Sequence, residues 1–334
     1  MNDLINYSKQ YPHMPLEILK FFAKNEQKDG KVIQKQVHHF CEYFSKKFAT
    51  DNYPQPRVVS KICDILCDNQ KLSLISKAGP DNINSSYWCS LNENVEKDSA
   101  LEKFLEQHLA HIVFGFKFIY EDFKSRVLPI EYEDKAGNLY LGTCFLYQHG
   151  IVTAKHCVEG AKGISIKGFS AEQLYSAKYE TSPNPLLDLI FISFPNPLDG
   201  TLMLNSDAEI LDEVMTLGYP KIAGYHNFLT AENAVISARY TASTGQVAAN
   251  AEDIWMKEKL FLITAKIKGG NSGGPVVNRS GAIIGVSVNQ SEGEGDYDSL
   301  GYGTVIPIKF LDALIVSEQK TFLSIKDITF KDFI

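Results

Sequence analysis

The chain reads as an α+β protein in two parts, a helical module followed by an all-β domain. Two observations carry this. Up to about residue 125, apolar residues recur at helical spacing; from Val127 onward, short apolar runs alternate with Gly, Asn, Asp and Pro, the rhythm of a barrel or sandwich. With 334 residues, there is chain enough for two separate cores.

Three helices are predicted first. Residues 15–26 place Leu16, Ile18, Leu19 and Phe22 on one face, and residues 32–48 repeat the pattern with Val37, Phe40, Phe44 and Phe48. Residues 57–69 bury Val59, Ile62, Cys63 and Leu66 in the same way. Next, KLSLIS (71–76) and SSYWCSL (85–91) flank a turn-rich segment and predict a hairpin. Three helices followed by a hairpin is the order of a winged helix, expected over residues 1–92.

Charge weighs on what such a module binds. The exposed stripe of the third helix would be Arg57, Lys61, Asp64 and Asp68, and two acids there repel phosphate. Residues 1–92 hold 12 basic and 9 acidic side chains, and the whole chain carries a net charge of −7. A regulatory protein partner is therefore favoured over nucleic acid for residues 1–92. The alternative is a winged-helix DNA-binding regulator with an attached peptidase acting on itself or on a partner repressor.

Residues 93–126 are expected to form a helical linker, with Leu101, Phe104, Leu105 and Ile112 at helical spacing. The all-β domain should occupy 127–320, with a helix over 307–319, and leave 321–334 as a carboxy-terminal tail. At the amino terminus, Met1 to Gln10 lacks the basic start and apolar core of a secretory signal. Leu109 to Tyr120, the most apolar stretch, is interrupted by His111 and Lys117 and is too short to span a bilayer. A cytoplasmic protein without membrane association is expected. The six cysteines match no zinc template. Cys63 and Cys67 could join His38, His39 or Cys89 at a metal, but free cysteines are commonly small apolar core residues, and that reading is preferred.

The chemistry concentrates in the second part. Gly269-Gly270-Asn271-Ser272-Gly273-Gly274-Pro275 sets a serine between glycines. A nucleophilic serine needs an exposed hydroxyl and backbone N–H groups aimed at a developing oxyanion, and glycine permits the tight turn that supplies both. Gly270 and Ser272 are placed to give those two N–H donors. A serine is a weak nucleophile without a base. His156, in Thr153-Ala-Lys-His156-Cys157, follows a strand of buried character. Asp188 opens the apolar run Leu189-Ile-Phe-Ile192, where a buried carboxylate needs a partner; the His156 ring N–H suits it and would fix the tautomer.

This order of His156, Asp188 and Ser272, at separations of 32 and 84 residues, resembles the chymotrypsin-like serine peptidases. Within them it is similar to bacterial trypsin-like peptidases of the HtrA type. The resemblance covers about residues 127–318 and includes Gly142-Thr-Cys-Phe-Leu146, Leu217-Gly-Tyr-Pro220, Ile284-Gly-Val-Ser287 and Gly303-Thr-Val-Ile-Pro307. It implies a chymotrypsin-like double β-barrel of two six-stranded barrels, a serine endopeptidase acting on protein or peptide substrates, and no metal or cofactor. His156 would be general base and then acid, Asp188 its orienter, and Ser272 the nucleophile forming an acyl-enzyme.

Several features depart from the family's secreted digestive members. Asn271 stands where those carry the Asp that pairs with a freed amino terminus, so activation by amino-terminal cleavage is not expected. Cys144 falls at a different strand position from the usual disulfide partner of Cys157, and both are expected as thiols. The specificity pocket implied by the resemblance comprises Lys266, Val288, Asn289 and Gln290. A lysine at its floor favours acidic substrate side chains, whereas the loop Glu292 to Asp298 would attract basic ones. An interaction module fused to a trypsin-like domain looks like bacterial conflict or stress effectors. An inactive peptidase-like scaffold is the reading least consistent with a complete triad and glycine loop.

Overall fold

The structure is a computed structural model that describes all residues except 1, 24–26, 29–30, 33, 50–52, 92–94, 96–97, 199–202, 221–238, 254–256, 289–300 and 334. The chain divides into two compact units, Met1–Ile119 and Tyr120–Ile334.

In the first unit, α1 (Asn2–Gln10) and α2 (Met14–Ala23) precede a two-stranded ribbon of β1 (Gln27–Lys28) and β2 (Lys31–Val32). Then come α3 (Val37–Lys47), α4 (Pro56–Asp68), β3 (Ser73–Ser76) and β4 (Ser86–Trp88). Pro56 starts α4, where its missing N–H costs nothing. As expected, β3 and β4 pair antiparallel. Met14, Ile18, Phe40, Phe44, Ile62, Cys63 and Leu66 form a single core.

The stretch expected as a linker is shared between the units. Its first part, α5 (Ser99–Phe114), lends Leu109 and Val113 to the first unit's core, because an apolar helical stripe must be buried somewhere. Gly115, at φ 68°, ends the helix with its N–H on the His111 carbonyl at 2.9 Å. The chain resumes as α6 (Phe116–Phe123).

A buried ion network ties α2, α3 and α5 together. Glu17 accepts from Lys47 at 2.6 Å, Tyr43 at 3.2 Å and Lys20 at 3.4 Å, while Lys20 also donates to Glu102. Glu17 and Lys20 are both buried. The pair of lysines holds the Glu17 carboxyl below its usual range against the opposing effect of burial. Glu17→Ala leaves the buried Lys20 with Glu102 alone and strips Lys47 and Tyr43 of their shared acceptor, and should destabilise this unit by about 2–3 kcal/mol. A fall of roughly 10–20 °C in the unit's melting temperature is the expected readout; an unchanged melt would show that the network adds nothing.

The second unit opens with β5 (Val127–Glu133), β6 (Leu139–Tyr147), β7 (Gly150–Thr153), β8 (Gly163–Ile166), α7 (Ala171–Ser176), β9 (Lys178–Thr181) and β10 (Ile190–Ser193). It continues with β11 (Glu213–Gly218), β12 (Thr241–Glu252), β13 (Lys259–Ile263), β14 (Pro275–Asn278), β15 (Ile283–Val288) and β16 (Gly303–Pro307). The helix α8 (Ile308–Val316) and the short strands β17 (Thr321–Phe322) and β18 (Thr329–Phe330) finish it. Strands β11 to β16 close a six-stranded barrel in the order β11-β12-β13-β16-β15-β14. Val214, Val247, Phe261, Ile263, Val276, Ile284 and Val305 fill it.

The first half departs from a plain six-stranded barrel. Its sheet has eight strands in the order β17-β9-β10-β7-β6-β5-β8-β18, so the carboxy-terminal segment covers both edges. Thr321–Phe322 and Thr329–Phe330, within the segment expected as a tail, are thus part of the sheet. Unpaired edges carry a row of unmet hydrogen bonds, and here two two-residue strands cover two residues of each edge strand. Lys331 pairs with Glu133 at 3.0 Å, and Phe330 stacks on Tyr179.

Candidate active site

Strand register explains how the histidine and the aspartate meet. β7 and β10 are antiparallel neighbours with Ile190 opposite Thr153. His156 lies just past the end of β7, in the 3₁₀ turn Lys155–Cys157, and Asp188 lies just before β10. Both therefore emerge at the same end of these neighbouring strands. His156 Nδ1 and Asp188 Oδ2 are 2.6 Å apart, and the His156 backbone N–H donates to Asp188 Oδ1 at 2.8 Å. Lys155 Nζ reaches across to the Pro185 carbonyl at 2.6 Å and fastens the turn to the loop that carries Asp188.

Held this way, the imidazole keeps its Nδ1 proton toward the carboxylate and presents Nε2 as a base. Burial works to lower the His156 pKa, but the hydrogen bond that Asp188 accepts from the ring, helped by the neighbouring Cys157, outweighs it and raises the pKa above the ordinary histidine value. The His156 side chain stays 40% exposed, open to a reacting partner.

Ser272 sits on the connection from β13 to β14, whereas His156 belongs to the other sheet. The turn around Ser272 is stitched to the first sheet by Thr143 on β6, whose N–H donates to the Ser272 carbonyl at 2.9 Å. Gly273, at φ 86°, is packed so closely that a Cβ there would collide with Thr143 O and Thr153 Oγ1 and lie 2.6 Å from Ala154 N. Thr153 and Ala154 lead directly into His156, so the glycine lets the serine's turn approach the histidine's strand. From behind, Ser287 on β15 donates its hydroxyl to the Asn271 carbonyl at 2.7 Å and accepts the Gly273 N–H on its own carbonyl at 2.7 Å. Gly270, at φ 97°, precedes the serine by two residues as a donor at that position requires. Ser272 and Asn271 are buried, and among the described residues the Asn271 side-chain oxygen has no protein partner.

The specificity residues fare differently. Lys266 is exposed, and its N–H donates to Ser243 Oγ at 3.0 Å. Val288 is buried at the end of β15. Asn289, Gln290 and the acidic loop Glu292 to Asp298 lie outside the described residues. Among the described residues no cluster of His, Cys, Asp and Glu is arranged to hold a metal, and no helix is long and apolar enough to cross a membrane. Cys144 and Cys157 are buried free thiols. Thr143, Thr153 and Ser287 each stand inside a run quoted above, but nothing in those runs marks their hydrogen-bonding roles.

Residues 142–286 match the family model described as the trypsin-like peptidase domain. Over 160 residues the chain is 29% identical to the periplasmic serine endoprotease DegP of Escherichia coli, covering 47% of this chain and 30% of that protein. It is 26% identical over 156 residues to the magnetosome formation protease MamE of Paramagnetospirillum magneticum, covering 46% and 20%. The chain thus spans less than a third of the length of these relatives. Among solved structures it is similar to the active form of the Rv3671c protease from M. tuberculosis, with a TM-score of 0.45 and 17% identity over 61% of this chain and 85% of that one.

Proposed function

We propose that the chain is a serine endopeptidase whose triad is His156, Asp188 and Ser272; the match of residues 142–286 to the trypsin-like peptidase domain supports the reading. The observation that carries the reading is the 2.6 Å pairing of His156 Nδ1 with Asp188, with the glycine turn that carries Ser272 packed against the strand leading to His156. Ser272 attacks the substrate carbonyl and passes its proton to His156 Nε2. The Gly270 and Ser272 N–H groups receive the oxyanion, His156 protonates the leaving amine, and water then releases the acyl group by the same steps in reverse. Asp188 stabilises the imidazolium that forms at each stage.

The first unit serves in this proposal as a regulatory module that binds a protein partner. Its support is a separate core and a near-neutral charge balance, which gives little hold on phosphate. A fluorophosphonate probe tests the catalytic part. It should label the wild-type chain at Ser272 and leave Ser272→Ala unlabelled. Equal labelling of both would remove Ser272 from the role of nucleophile.

A further inference from the structure

We infer that Thr143 is a positioning residue for the oxyanion-binding N–H groups, acting through its side-chain hydroxyl. The inference rests on the peptidase reading above.

Thr143 lies in mid-β6, fully buried and paired with Pro129 on one side, while its neighbour Cys144 pairs with Thr153 on the other. Every polar group it owns is engaged. The hydroxyl donates to the Gly270 carbonyl at 2.6 Å and accepts the Tyr219 N–H at 2.9 Å. Its backbone N–H donates to the Ser272 carbonyl at 2.9 Å, and its carbonyl accepts from Thr153 Oγ1 at 2.7 Å. A hydroxyl with both donor and acceptor committed in a dry interior has one orientation, so it acts as a fixed strut.

The strut ends at the peptide that joins the two carrying the donors. The carbonyl of Gly270 belongs to the Gly270–Asn271 peptide, whose N–H donates to the Lys268 carbonyl at 2.9 Å. That peptide is thus gripped on both edges, by Thr143 on its oxygen and by Lys268 on its nitrogen. Gly270 is at φ 97°, a region where glycine has several neighbouring conformations open to it. Without the grip, rotation about Gly270 would turn the N–H of Gly270 away from the point it shares with the N–H of Ser272. Oxyanion donors work because they are aimed before the charge develops. Strand β6 thereby couples the sheet that holds the base to the turn that holds the nucleophile.

The test compares Thr143→Val with Thr143→Ser in the full chain. Valine keeps the shape and the backbone bond to Ser272 but leaves Gly270 O and Tyr219 N–H without partners; serine keeps the hydroxyl. Rates are referred to the fraction of enzyme that a fluorophosphonate labels to completion, which discounts unfolded molecules. On a peptide substrate, Thr143→Val should lower kcat about 100-fold, the scale of a displaced oxyanion donor, with KM held within about twofold. Thr143→Ser should restore most of the loss. Amide hydrogen exchange read by mass spectrometry should quicken in residues 268–274 of the valine variant and stay slow in the serine one.

Equal kcat in wild type and Thr143→Val overturns the positioning role, as does equal loss in both variants, which would assign the effect to packing. Exchange that rises throughout Tyr120–Ile334 in the valine variant also overturns it. A wild-type chain that neither labels nor cleaves overturns the peptidase reading itself, a distinct outcome.

Discussion

Ser272→Ala should lower kcat on the order of a million-fold, and adding His156→Ala to it should cost almost nothing further, because residues of a triad fail as a unit. The non-additivity is the informative part. If Ser272 and His156 contributed separately, the two losses would multiply; if one exists to deprotonate the other, removing either disables both. The pH dependence follows from the same geometry. His156 acts as a base only when neutral, so kcat/KM rises as pH passes upward through its pKa. Asp188 raises that pKa above 6.5, so the acid limb of the profile should lie above pH 6.5. Asp188→Asn removes the charge that favours the imidazolium, and should move the limb to lower pH while lowering kcat about 10⁴-fold. A steady-state profile on a peptide substrate, run for wild type and the three variants, checks all of this. Independent losses, or a limb that stays in place, would show that these side chains do not work together.

The sequence carries some of this arrangement openly and hides the rest for physical reasons. Helices α2, α3 and α4 announce themselves because their apolar residues repeat at the period of the helix, and burial of that stripe is what holds them. By contrast α1 (Asn2–Gln10) has only a short stripe, Leu4 and Tyr7, among mostly polar residues. It is held by tertiary contacts, among them Tyr7, which is buried and whose hydroxyl accepts the Gln55 N–H at 2.7 Å. Strands β17 and β18 are two residues each and have no pattern at all; the open edges of β9 and β8 recruit them. At the site, the proposed triad of His156, Asp188 and Ser272 is legible because each stands in a distinctive run: a histidine after a buried strand, an aspartate opening an apolar one, and a serine between glycines. Thr143 is one threonine in a strand that favours threonine, and its role depends on which carbonyl lies across from it in a turn 127 residues away. Local pattern does not encode such a contact.

Gly273→Ala is the single-methyl change expected to do the most harm. Two effects add. At φ 86° an L side chain meets its own carbonyl, a cost of about 1–2 kcal/mol. The added carbon also has no room, since it would overlap Thr143 O and Thr153 Oγ1, and overpacking of this kind costs about 1–3 kcal/mol. None of the three atoms it meets is the far end of a flexible side chain. Thr143 O is strand backbone, Ala154 N is backbone just past β7, and Thr153 Oγ1 is locked by its bond to Thr143 O. Relief therefore requires the Ser272 turn to back away from β6 and β7. The bond from Thr143 N–H to the Ser272 carbonyl would lengthen, and the serine hydroxyl would recede from His156. A melting temperature lower by roughly 5–15 °C is expected for Tyr120–Ile334, together with kcat reduced at least about 100-fold even where the protein remains folded. Gly137→Ala is the control: that glycine is also at positive φ, 89°, but a Cβ there meets nothing, so it should show the backbone cost alone and keep its activity. Equal behaviour of the two variants would mean that the closeness of the serine's turn to the histidine's strand does not matter for catalysis.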